Sequence, residues 1–186
     1  KWQGYNAPGM LSATDTKFQH LAQLFYEKQE QVMGKSKFYS MDLCHEGGTA
    51  PQCGRPTQAQ GIIQAMNANC GEQSVWVIQA WQNNPASDLL NAVPKGRLLV
   101  LDLFAENTPR WGRFGQHDFV YCMLLNFGGR TGLHGRFDNL VNNYNNVLAA
   151  KPSQLKGIGA TPEGIETSPV MYDALFELPW TTIDKT

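Results

Sequence analysis

The chain has 186 residues, 42% hydrophobic and 17% charged, with a formal net charge of −1. That is enough apolar material to bury a core, and too little net charge for a disordered chain. No basic patch marks a nucleic-acid footprint, and no apolar run approaches the roughly 20 residues of a membrane-spanning helix. Cys44, Cys53, Cys70 and Cys122 lack CxxC spacing. They read as free core-type thiols rather than a zinc site or a disulfide framework. The sequence starts at Lys1-Trp2-Gln3, with neither Met nor a secretory leader, and so reads as a piece of a longer protein whose compartment it does not reveal.

Taken in order, Asp15 to Met33 has helical spacing with Phe18, Leu21, Leu24, Phe25 and Val32 as its apolar face. Thr14 or Asp15 can cap its start and Gly34 its end. Lys37 to Leu43 reads as a strand. Thr57 to Cys70 is a weaker helix carrying Ile62, Ile63 and Met66 on one side. Val75 to Ala80 is a strand rich in β-branched and aromatic residues. Pro85 to Val93 is a short helix. Arg97 to Leu103 is the clearest strand, because Leu98-Leu99-Val100-Leu101 is apolar on both faces. Phe119 to Leu125 is a strand, Phe137 to Leu148 an Asn-rich helix, Ile158 to Ala160 a short strand, and Ser168 to Leu178 a closing helix. Strands alternating with helices indicate an α/β fold with a parallel sheet.

The N-terminal strand ends are bland: Lys37, Ser74, Arg97, Asp118 and Lys156. The C-terminal ends carry the chemistry. They offer Asp42, His45 and Glu46; Gln79, Trp81, Gln82 and Asn83; Asp102, Glu106, Asn107, Arg110 and Trp111; Asn126-Phe127-Gly128-Gly129; and Thr161-Pro162-Glu163-Gly164. A (β/α) barrel uses the C-terminal ends of all its strands, whereas an open doubly wound sheet uses them only near a switch point. Five loaded ends therefore favour a barrel.

Glu46 and Glu163 each stand just beyond a strand, in loops rich in Gly, Pro and Thr. Paired carboxylates on a rigid scaffold are what glycosidic bond cleavage needs. Amides and acids suit sugar hydroxyls, and Trp faces suit the C–H surface of a sugar ring. Gly128-Gly129-Arg130-Thr131-Gly132 lacks the Lys and spacing of a phosphate loop. His20, His45, His117 and His134 are too scattered for a metal site, and Cys44 has no base beyond its neighbour His45. Asp42 and Asp102, on strands, read as buried structural acids. Glu106 reads either as a substrate contact or as a cap for its loop.

The runs Trp76-Val-Ile-Gln-Ala-Trp81, Arg97-Leu-Leu-Val-Leu-Asp-Leu-Phe-Ala-Glu106, Cys122-Met-Leu-Leu-Asn-Phe-Gly-Gly129 and Gly159-Ala-Thr-Pro-Glu-Gly164 resemble the α-N-acetylglucosaminidase family, glycoside hydrolase family 89. The motifs follow the family's order over most of the chain. The resemblance implies part of a (β/α)8 TIM barrel, its later strands and helices only. It also implies a retaining exo-enzyme that removes terminal non-reducing α-linked N-acetylglucosamine from glycans. In that reading Glu46 is the general acid/base and Glu163 the nucleophile, with Trp81 and Asn126 lining the sugar pocket; His45 and Glu106, by their positions at the same strand ends, are further candidate substrate contacts. No cofactor or metal is expected. Two positions depart from the family's lysosomal pattern: His45 replaces an Asn and Leu125 replaces a His. Alternation along the strand is expected to point Leu125 away from the mouth.

A complete barrel has eight strands and about 250 residues. The expected organisation is therefore residues 1–178 as the later part of a catalytic barrel and residues 179–186 as the start of a linker. The early strands and a helical C-terminal domain would lie elsewhere in the parent chain, and the stretch alone is expected to be inactive. The family implies a secreted, periplasmic or lysosomal setting. The alternatives are a non-catalytic carbohydrate-binding relative and a barrel glycosidase of different linkage specificity.

Overall fold

The computed structural model describes residue 4 and residues 11–43, 54–125, 134–151, 153–164 and 168–181. Among the described residues, five strands form one sheet in chain order: β1 (Phe38–Ser40), β2 (Val75–Ala80), β3 (Leu98–Asp102), β4 (Asp118–Met123) and β5 (Leu155–Ala160). β1 pairs parallel with β2, Phe38 opposite Val75, and β4 pairs parallel with β5, Tyr121 opposite Ile158. Helix α1 (Thr16–Met33) precedes β1, α2 (Pro56–Cys70) and α3 (Ser87–Ala92) flank β2, α4 (Phe137–Ala150) separates β4 from β5, and α5 (Pro169–Glu177) follows β5. An unbroken chain order is that of a (β/α) barrel, since doubly wound sheets reverse direction at a switch point. The sheet is part of such a barrel. Between β3 and β4, where the sequence offers no helix because Pro109, Gly112 and Gly115 break helical periodicity, the chain forms a loop with a single 3-10 turn (Trp111–Arg113).

The backbone forms two compact units, Lys1–Ile78 with Asn83–Leu99, and Gln79–Gln82 with Val100–Thr186. In the first unit, Asp15 caps α1 by accepting the Lys17 N–H at 2.8 Å, as its sequence position predicts. The packed face of α1 is not the expected one. Leu21, Leu24, Phe25 and Val32 are exposed, and Tyr26 is buried. Polar bonds and close approach choose the face instead. Gln19 Nε2 donates to the Gly61 carbonyl at 3.0 Å. Gly61 has no room for a Cβ against the Ala13 carbonyl. Tyr26 meets Tyr39 edge to face, with centroids 5.5 Å apart. Buried Gln58 accepts the Ala13 N–H at 2.8 Å and donates to Ser12 Oγ at 3.0 Å, so its amide is satisfied where it would otherwise be costly.

In the second unit, β4 buries Phe119, Tyr121, Cys122 and Met123. Helix α4 adds Leu140, Val141, Tyr144 and Val147, each aliphatic side chain contributing about 1.5–3 kcal/mol by leaving water. The Tyr121 hydroxyl donates to the Leu140 carbonyl at 3.1 Å. β5 starts at Leu155, earlier than the expected Ile158, because Gly157 and Gly159 dilute the apolar signal of a real strand. A Cβ on Gly159 would stand 3.0 Å from Cys122 Sγ, so glycine there permits close strand contact. Cys70 and Cys122 are free and buried, while Cys44 and Cys53 lie outside the described residues. Among the described residues, no helix is long and apolar enough to cross a membrane.

Candidate active site

The last residue of β3, Asp102, is fully buried. Its Oδ2 accepts the Arg110 N–H at 2.8 Å, which folds the following loop back on the strand end. Its Oδ1 has no hydrogen-bond partner among the described residues. Burial pushes the Asp102 pKa up to about 6, against the pull of the Arg110 N–H and charge and the Trp111 N–H.

Glu106 follows, only 4% exposed. Its Oε1 accepts the Leu125 N–H at 2.8 Å, and its Oε2 accepts the Leu124 N–H at a longer 3.4 Å. Burial, with a smaller push from the Asp102 charge, raises its pKa to about 7. The N–H groups of Leu125, Glu106 itself and Leu124 pull the other way. The Glu106 backbone is held too. Asn143 Nδ2, on α4, donates to the Glu106 carbonyl at 3.0 Å and to the Ala105 carbonyl at 3.3 Å.

Leu125 corrects the expectation that a strand runs through it. β4 ends at Met123, because the next two N–H groups turn to a carboxylate instead of a neighbouring strand. Leu125 has φ 44°, a left-handed backbone that costs a leucine about 1–2 kcal/mol. A hydrogen bond to a charged acceptor contributes about 1.5–3 kcal/mol, enough to offset that cost. The left-handed step also breaks strand alternation, and the buried Leu125 is one of the residues that line a cavity.

That cavity, about 370 Å³, is bounded by Phe104, Glu106, Asn107, Leu125, His134, Gly135 and Arg136. Arg136 Nη1 donates to Asn107 Oδ1 at 3.3 Å. Apolar walls with a few convergent polar groups suit a small polar ligand. Cys122 is no nucleophile: burial, with the charges of Asp102 and Glu106, pushes its thiol up to about 12.

The other loops of this unit are tied to the same strand ends. Gln82, left-handed at φ 47°, offers its carbonyl to Arg110 Nε at 3.2 Å and Arg113 Nη1 at 3.1 Å. Those bonds fix the residue next to the half-buried Trp81. Thr161 Oγ1 donates to the Leu103 carbonyl at 3.0 Å, with the Met123 carbonyl 3.3 Å away, and the Thr161 N–H reaches Met123 O at 3.0 Å. Thr161 thus ties the exposed Glu163 loop to the ends of β3 and β4. Of the predicted site residues, Glu106 lines the cavity, whereas Trp81 and Glu163 do not. His45, Glu46 and Asn126 lie outside the described residues.

Residues 1–182 match the family model described as the α-N-acetylglucosaminidase (NAGLU) TIM-barrel domain. The chain belongs to the α-N-acetylglucosaminidase family. Human α-N-acetylglucosaminidase is 32% identical over 192 residues, covering 95% of this chain and 25% of its own length. Similar solved structures include a family 89 glycoside hydrolase from Clostridium perfringens in complex with PUGNAc. It is 36% identical, with a TM-score of 0.86, and the match covers 97% of this chain and 21% of that one. A form of the Clostridium enzyme with two Glu-to-Gln substitutions, in complex with its substrate GlcNAc-α-1,4-galactose, matches at 35% identity and a TM-score of 0.86, with the same coverage. The chain therefore spans about a quarter of the human relative and a fifth of the bacterial one.

Within this α-N-acetylglucosaminidase-family barrel, the sequence reading passed over Asn143, Tyr172, Arg113 and Arg136. One signal was available for Asn143. It stands between Leu140 and Val147 at helical spacing, on the buried side of α4, and an amide on an apolar face calls for a buried partner. Nothing local marks the others, whose hydrogen-bond partners on other segments lie up to 48 residues away.

Proposed function

We propose that this sequence supplies the later strands of a retaining exo-glycosidase that hydrolyses terminal non-reducing α-linked N-acetylglucosamine, with Glu163 as nucleophile and Glu46 as general acid/base. The observation that carries this reading is the family match over residues 1–182. One further finding supports the pair. The two glutamates replaced in the bacterial substrate complex are separated in sequence, to within one residue, as Glu46 and Glu163 are. The Glu163 loop, held by Thr161 to two strand ends, suits a nucleophile that must not drift.

In this mechanism the Glu163 carboxylate attacks the anomeric carbon while the glycosidic C–O bond breaks, and Glu46 gives its proton to the departing oxygen. Glu46 then takes a proton from water, the water oxygen bonds to the anomeric carbon, and the ester bond to Glu163 breaks. Two displacements return the α anomer, and they need carboxyl groups about 5–5.5 Å apart. His45, Trp81 and Asn126 are assigned to the sugar. Residues 1–178 are taken as barrel and residues 179–186 as the start of a linker, and this stretch expressed alone is expected to be inactive. The test uses the full-length parent protein with 4-nitrophenyl α-N-acetylglucosaminide, following the released sugar by NMR. Initial release of the α anomer supports the proposal. Initial release of the β anomer, or sugar binding without release, overturns it.

A further inference from the structure

Helix α1 carries an apolar stripe that its own unit leaves uncovered. Leu21, Phe25 and Val32 are 55%, 65% and 82% exposed. Three landmarks place this stripe on the helix. Gln19 marks the flank that meets α2, since its Nε2 donates to the Gly61 carbonyl. Tyr26 marks the inner side, edge to face with Tyr39 of β1. Glu27, which accepts from Gln23 Nε2 at 2.8 Å on an exposed surface, marks the solvent side. At about 100° of turn per residue, Leu21, Phe25 and Val32 stand about 200°, 240° and 220° round the axis from Gln19. The stripe therefore lies on the flank turned away from α2. β1 shows the same want of a neighbour. It stands at the end of the strand order. Tyr39 turns toward α1, so alternation turns Phe38 to the opposite face of the sheet, the barrel interior, where it is 51% exposed.

Single exposed apolar residues are ordinary, but a stripe at helical spacing marks a contact. The helices of a (β/α) barrel form a ring outside the strands, each between the helix before it and the helix after it. α2 follows α1 in the chain and holds one flank, so the other flank belongs to the helix before. The described strands number five where a barrel needs eight, and the chain spans about a quarter of the human relative and a fifth of the bacterial one. We propose that Leu21, Phe25 and Val32 form the docking surface for the helix of the barrel unit that precedes this sequence in the parent chain, and that Phe38 packs against interior side chains from that part of the barrel. The partner is an amphipathic helix that presents its apolar side. Lys28 stands in the same row of α1 and can lay its alkyl stem along the seam with its ammonium in water. The inference takes from the functional proposal only the placing of these strands as the later ones, and does not depend on glycosidase activity.

The experiment uses the full-length parent protein in two ways. The unmodified protein is labelled with a photogenerated carbene, which needs no variant. Labelling of Leu21, Phe25 and Val32 should drop to the level of buried Tyr26, while Glu27 is labelled freely. Labelling of Phe25 and Val32 equal to that of Glu27 would show that the stripe is bare in the parent, and would overturn the inference. The parent is then made with the photo-crosslinker p-benzoylphenylalanine in place of Phe25 or, if that protein does not fold, in place of Val32. The crosslinked peptide should come from the part of the parent that precedes this sequence. A crosslink to a peptide that follows this sequence, or failure to capture any preceding peptide, overturns the inference. So does a crosslink between isotope-labelled and unlabelled copies in a mixture, which would make the occupant a second copy. Turnover of 4-nitrophenyl α-N-acetylglucosaminide is read on the same unmodified parent. Capture of a preceding peptide without turnover keeps the docking surface and sinks the glycosidase reading. Turnover with capture elsewhere does the reverse.

Discussion

Glu106 and Leu125 are 19 residues apart in sequence and 2.8 Å apart in space, carboxylate to amide. The strained residue and the group that holds it belong to different strand ends. Neither makes sense alone: without the Leu124 and Leu125 N–H groups Glu106 is a buried carboxyl with unmet acceptors, and Leu125 without Glu106 is a leucine in a glycine's conformation.

Removing the carboxylate should therefore be costly. Glu106→Ala leaves two N–H groups unsatisfied beside a cavity, a loss of about 2–4 kcal/mol by the cost of orphaned donors. A fall in the unfolding midpoint of the full-length parent, larger for E106A than for E106Q, is the expected result. Equal midpoints for wild type and E106A would show that the bond contributes nothing net.

The pH dependence has a definite sign. The folded pKa values of Glu106 (about 7) and Asp102 (about 6) lie above their ordinary values of 4.5 and 3.8. The folded state thus holds these protons more tightly than the unfolded chain. The stability linked to them is fully present below about pH 4 and is lost as pH rises toward about 7, on the order of 3 kcal/mol each at 1.36 kcal/mol per pKa unit. Relative to wild type, D102N and E106Q should gain stability as pH is raised from 5 to 8, measured by thermal unfolding of the parent protein. Parallel profiles would mean that both carboxyls titrate at ordinary values.

The two proposed catalytic glutamates can be told apart by azide. In Glu163→Ala, azide should enter from the vacated face and yield the β-glycosyl azide. In Glu46→Ala it should intercept the glycosyl-enzyme and yield the α product. Loss of the acid/base should cost about 10²–10⁴-fold on a natural disaccharide, and less with a 4-nitrophenyl leaving group that needs no proton. The same azide anomer from both variants would refute the assignment.

Thr161→Val removes the hydroxyl that reaches the carbonyls of Leu103 and Met123. A stability loss of about 1 kcal/mol is expected for that bond, with kcat reduced more than KM is raised if the Glu163 loop depends on it. A purely structural tie would lower the unfolding midpoint and leave kcat at the wild-type value.

Much of the fold could be read locally. Asp15 and Gly34 bound α1 as their types predict, and the run Leu98 to Leu101 is a strand because it is apolar on both faces. The family motifs could be read too, since they are contiguous runs at strand ends. Three things could not. β5 is diluted by two glycines, and the use of one of them, Gly159, becomes visible only against Cys122. The packed face of α1 is set by Gln19 and Gly61, not by its most apolar residues. Leu125 reads as a strand residue until the carboxylate that diverts its N–H is known.

The sequence by itself determined the α/β alternation, the barrel's loaded strand ends and the family, because strand period, helix caps and contiguous motifs are local properties. Only the tertiary structure decided that Glu106 spends its carboxylate on the turn at Leu125 and that Asp102 and Thr161 tie loops to strand ends. Those roles rest on hydrogen bonds between residues up to 58 positions apart. A bond of that kind exists only once the strands that carry its two ends lie side by side.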